Sequence, residues 1–157
     1  MKHFSIPITR LIHENISVIM NFVFSKGPLE QLVGKSFQGE WKYLRKALFN
    51  LSEERAEKAC LELALFMRML DDDADISGIY ERSGEHDFGR LVIKDKPDKD
   101  LSLREVSNKI IHASKLEWDF SWQAEPRLIC QTREPKKWIR TEVDIIAVAA
   151  ACGQIMS

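Results

Sequence analysis

Arg104, Asn108 and His112 stand four residues apart, a spacing that brings three helical side chains onto one face. Their types suit work on a phosphodiester. A histidine can move a proton near neutral pH, an arginine can hold charged oxygens with a fork of donors, and an asparagine can orient either. An ordinary solvent-facing helix surface presents the same kind of stripe, although Ile111 at its border points to partial cover by another helix or subunit. A second group is basic. Arg127, Arg133, Lys136, Lys137 and Arg140 crowd a short stretch around Trp138, with Trp118 and Trp122 just upstream. Cations interleaved with aromatics can hold phosphates and stack bases. The competing reading, in which the tryptophans pack a sheet against helices while the charges keep an edge soluble, is the better supported by the alternation described below.

Other chemistries find little footing. The chain has no phosphate loop, dinucleotide-binding glycine motif, nucleophile elbow or His-Glu-x-x-His. His3, His13 and His86 have no ligand-like spacing. Cys60, Cys130 and Cys152 lie far apart in apolar surroundings, which predicts reduced core thiols. Asp73, Asp75, Ser77 and Gly78 begin like a calcium loop, but its twelfth position is Gly84 and Glu85 comes one residue late. The Asp71–Asp75 run is therefore read as a solvated helix stop, and neither metal nor cofactor is expected. A net charge of −1 gives no global pull toward nucleic acid or an anionic membrane, so any such binding needs a local patch.

The elements that must position these residues are mostly helical. Ser102 and Glu105 have the spacing of a capping box, with Leu101 and Val106 as a hydrophobic staple around it. Leu103, Val106, Ile110 and Ala113 follow as a buried stripe, so a helix is predicted within 101–114. Upstream, Ile8, Ile12, Ile16, Ile19 and Val23 mark a helix to about Phe24, and Gly27-Pro28 predicts its end and the start of another. That second helix carries Leu29, Val33, Phe37, Trp41, Leu44 and Leu48. Ser52 then reads as a fresh cap for a third, with Ala56, Ala59, Cys60, Leu63, Phe66, Met67 and Leu70 on its inner face.

From Gly89 the pattern turns to strands. Leu91–Ile93 is one, closed by a turn-rich Lys94–Asp100. Lys115–Trp122 alternates strictly, with Leu116, Trp118, Phe120 and Trp122 on one side and Glu117, Asp119 and Ser121 on the other. Arg127–Thr132 and Lys137–Thr141 predict a hairpin. Val143 to Met156 is an apolar helix, interrupted by Asp144 and too short to span a bilayer. The expected fold class is mainly α: a single domain over 1–157, a multi-helix antiparallel bundle with a small antiparallel sheet at about 89–94 and 115–141. With 45% hydrophobic and 30% charged residues, and no clean apolar signal core near the N-terminus, a soluble cytoplasmic protein is expected.

Asn108-Lys109-Ile110-Ile111-His112, late in a helical pattern, resembles the HEPN-domain proteins. The Asn-x-x-x-His half of the family motif is present. Ser107 stands where the family arginine usually adjoins the asparagine, and Arg104, with seven residues between it and His112, is a displaced equivalent on the same face. The resemblance implies a small helical bundle that dimerises as an interaction module in toxin–antitoxin or phage-defence biology. It also implies an alternative, a metal-independent ribonuclease with Arg104, Asn108 and His112 of two subunits forming one site. A third reading is independent of the resemblance: nucleic acid bound by the basic hairpin 127–140 through Arg133, Lys136, Lys137 and Arg140. The expected partners are a second copy and an RNA or protein, with no membrane.

Overall fold

Ile12, Asn15, Ile19, Phe22 and Val23 recur at three- and four-residue steps and are all buried, which sets the inner face of α1 (Ile8–Ser36). The computed structural model describes residues 6–37, 39, 42–84, 87–121 and 125–155. Trp41, Trp122, His3, Glu85, His86 and Met156, which entered the expectations above, lie outside them. α1 does not stop at Gly27-Pro28 but runs through the proline for two further turns. An interior proline removes one hydrogen bond and crowds the preceding turn. Gly27 and Pro28 are on the exposed side, where a freed carbonyl meets water, and Val33 is buried again beyond them.

The expected second helix is accordingly displaced. A short α2 (Lys42–Arg45) passes through a π-helical turn at Lys46–Asn50 directly into α3 (Leu51–Ala74). Asn50 is already helical and caps nothing with its side chain, so Ser52 lies inside a helix and does not start one. The wide turn brings Phe49 inward. Ala56, Ala59, Cys60, Leu63, Ala64 and Met67 form the buried face of α3, and its small residues let α1 pack closely along it. Asp75, at φ 49° and ψ 45°, ends α3, and α4 (Ile76–Ser83) follows at once.

The second half forms a five-stranded antiparallel sheet. Its strands are β1 (Gly89–Val92), β2 (Lys99–Asp100), β3 (Lys115–Asp119), β4 (Arg127–Gln131) and β5 (Arg140–Asp144), in the order β2-β1-β5-β4-β3. α5 (Leu103–Ile111) connects β2 to β3. The expected hairpin forms between β4 and β5, in a register pairing Gln131 with Arg140 and Arg127 with Asp144. Its second strand starts later than the pattern suggested, because Thr132–Ile139 makes the connection. The turn-rich 94–100 stretch also contributes a strand, β2, since Asp100 and Lys99 find Arg90 and Leu91 across from them.

Alternation sorts the sheet into two faces. Leu91, Thr141 and Cys130 in one row, and Val143 and Leu128 in the next, are buried; Trp118 packs edge-on against Phe22 of α1. Arg90, Glu142 and Glu117 point to the open side. α6 (Ile145–Gln154) begins one residue after β5, where Asp144 accepts a hydrogen bond from the Ala147 amide at 3.0 Å. Val148, Ala151 and Cys152 bury α6 against the same core, and α1 lies along it. The chain is thus mostly helical, with a small antiparallel sheet in its C-terminal half. No helix among the described residues is long and apolar enough to cross a membrane.

Candidate functional site

α5 starts as its sequence dictates. The Glu105 amide donates to Ser102 Oγ at 3.2 Å and the Ser102 amide donates to Glu105 Oε2 at 2.9 Å, while Leu101 and Val106 are both buried beside the cap. Lys99 Nζ, from β2, adds a second donor to the Glu105 carboxylate, at 2.8 Å from Oε1. Burial pushes the Glu105 carboxyl up, and the hydrogen bonds from Lys99 and the Ser102 amide overcome it, leaving the group below its usual value of 4.5. A depressed folded-state value means stability that is present above the unfolded pKa and lost as pH falls through the folded one. Thermal melts between neutral and acid pH should therefore show part of the acid-side loss disappearing in Glu105→Gln, which keeps the cap geometry without the charge. An acid limb of unchanged steepness would remove Glu105 as its source.

The stripe on α5 is divided among different partners. Arg104 donates to Asp71 Oδ2 at 2.5 Å and to Asp72 Oδ1 at 2.9 Å, both at the end of α3. Asp71 is only 8% exposed and also accepts the Ser77 amide at 2.6 Å, so it ties the α3–α4 bend to α5. The hydrogen bond from Arg104 is the first cause holding the Asp72 carboxyl low, and the bonds to Asp71 and Asp72 raise Arg104 in turn. Asn108 accepts through Oδ1 from the Arg68 guanidinium. The Asp71–Asp75 run is thus more than a solvated helix stop: its first member is a buried structural anion. Among the described residues no group of three or more His, Cys, Asp or Glu is arranged to hold a metal ion.

His112 has other company. It is exposed at the C-cap of α5, its amide donating to the Asn108 carbonyl at 3.0 Å. Its side chain lines a cleft of about 540 Å³ between the end of α5 and the β4–β5 connection, together with Ser114, Thr132, Arg133, Glu134 and Lys137. The floor is Trp138, 9% exposed, with Lys109 Nζ lying 4.4 Å from the ring centroid. Burial is the main cause that lowers Lys109. Arg133, Lys136 and Lys137 are exposed and have no carboxylate partner among the described residues. Arg140 differs: it sits in β5 and donates from Nε and Nη2 to Glu142 at 3.1 Å.

The fold therefore joins one member of the first candidate group, His112, to two of the second, Arg133 and Lys137. It turns Arg104 and Asn108 toward α3 and Arg140 toward Glu142. Comparison of the chain with family models, curated proteins and solved structures found no match. Thr132 and Glu134 carried no signal in the sequence, because they meet His112 only through pairing of β3 with β4. The buried role of Asp71 had a faint one, since an acid at a helix C-terminus opposes the dipole and calls for a nearby cation.

Proposed function

We propose that the protein is a binding module that takes the phosphate backbone of single-stranded RNA in the cleft between α5 and the β4–β5 connection. One observation carries the reading. Among the described residues Arg133, Lys136 and Lys137, unlike Arg104 and Arg140, have no carboxylate partner; Arg133 and Lys137 line a cleft that also holds His112, and Lys136 adjoins it in the same connection. Cations already neutralised inside the fold offer little to a phosphate, whereas free ones release counterions when they bind it. Trp138 is covered by Lys109 and leaves no open ring for a base, which favours contact with the backbone over contact with bases.

Binding of a labelled single-stranded RNA, followed by anisotropy across a salt series, tests this. Three phosphate contacts predict a log–log slope of about −2, and Lys136→Ala/Lys137→Ala should reduce it to less than −1 in magnitude. Arg140→Ala should leave the slope alone. Weak binding with no salt dependence, or equal slopes for all variants, would overturn the reading.

The shared cleft also supports a cleavage reading, in which His112 moves the proton and Arg133 and Lys137 hold the charged oxygens. Incubation of mixed single-stranded RNA in EDTA with the protein and with a folded His112→Ala variant separates binding from cleavage. Loss of products in the variant would establish a metal-independent ribonuclease. The HEPN-like dimeric interaction module belongs here as well. Its support is the Asn108-x-x-x-His112 pattern on a helix packed against α3, and an antiparallel bundle of the helices is part of the same proposal.

A further inference from the structure

β3 forms one edge of the sheet, and the fold does little to protect it. The opposite edge, β2, is only two residues long, a common way of blunting an edge. β3 is five residues long, contains no proline or glycine, and pairs with β4 without a bulge. Among the described residues, backbone hydrogen bonds from the strand run to β4 alone, so its outer row of amides and carbonyls is unclaimed. Its charges all lie on the open face: Lys115 pairs with Glu117 of the same strand, both more than 40% exposed, and Gln131 donates to Glu117 at 2.8 Å.

We infer that the β3 edge docks a second copy of this chain, joining two sheets across a twofold axis at Leu116. The register follows from the charges. Side chains alternate, so only even shifts keep Leu116 and Trp118 of both copies on the helix side. With Leu116 opposite Leu116, each Lys115 faces Glu117 of the second copy, and no like charges meet. A shift of one step sets Lys115 against Lys115. The opposite shift sets Glu117 against Glu117, and the next one sets Glu117 against Asp119. Like charges directly opposite each other in a ladder are unfavourable, so one register of the four is free of penalty. The ladder is short, and the dimer is accordingly weak and dependent on concentration. It brings the two His112 clefts to within a few residues of the axis, but pairing itself needs no RNA.

Light scattering on the whole protein at up to about 100 µM should show a monomer–dimer equilibrium. Lys115→Glu or Glu117→Lys should each raise the dissociation constant roughly tenfold, with circular dichroism unchanged, and the double exchange should restore it. Leu116→Cys should form a disulfide-linked dimer under mild oxidation, because residues opposed at the axis fall within bridging distance, whereas Trp118→Cys should not. Cys130 stands directly opposite Leu116 on β4, so both cysteine variants are made in a Cys130→Ala background, with Cys60 and Cys152 buried. A monomer across the whole range, a dimer indifferent to both single reversals, or crosslinking by Trp118→Cys in preference to Leu116→Cys would each overturn the interface.

Discussion

Arg104→Ala is expected to lower the midpoint of chemical denaturation while leaving RNA affinity of the folded molecules unchanged. The cost arises at Asp71. Its carboxylate is buried and takes the Ser77 amide on one oxygen and Arg104 on the other. Breaking one side of a buried pair leaves an uncompensated charge, which costs more than the intact pair contributes. Asp71→Asn should be milder, since an amide oxygen can still accept from Ser77. Combining Asp71→Asn with Arg104→Ala should cost less than the sum of the two, because each removes the other's reason for harm. Chemical denaturation of the four proteins gives these differences directly. If Arg104 instead binds phosphate, its removal weakens RNA binding by a protein of near-native stability, the opposite outcome. His112→Ala, at an exposed cap position, should leave the denaturation midpoint almost unmoved.

Gly89→Ala should be comparably damaging, lowering the melting temperature by roughly 9 °C, or about 3 kcal/mol for a chain of this size. Gly89 has φ +132°, a backbone conformation that side-chain-bearing residues rarely adopt. A methyl group there would also run into the backbone carbonyl of Glu142 in β5, the strand paired with β1. Neither strand can yield easily. Phe88 takes the Asp144 amide at 2.9 Å on one side of the glycine, and Leu91 and Val143 are buried on the other. The damage should concentrate in the sheet, so amide exchange in β1 and β5 should rise before that of α1 and α3. Equal melting temperatures for Gly89→Ala and the native protein would mean that the β1–β5 pairing is looser than its register implies.

Local interactions were legible in the residues themselves. The capping box at Ser102–Glu105, the stripe of Leu103, Val106 and Ile110, the inner face of α3 and the existence of a hairpin after Arg127, though not the bounds of its second strand, all depend on neighbours a few residues away, or on turn length. These are interactions a sequence pattern encodes directly. The helix boundaries were less so. Gly27-Pro28 carries a strong local signal for a break, but burial of Val33 outweighs one lost hydrogen bond on an exposed turn. The π-helical turn before α3 likewise answers to the inward placement of Phe49, which no cap residue announces.

The site was decided by tertiary structure alone. Arg104, Asn108 and His112 share a helix face in sequence, yet the end of α3 supplies Asp71, Asp72 and Arg68 to the first two and nothing to the third. Strand order then carries the β4–β5 connection to His112, setting Arg133 and Lys137 beside it. Helical spacing says which side chains point the same way; which of them stay free for a ligand depends on charges thirty or more residues distant, and only packing brings those within reach.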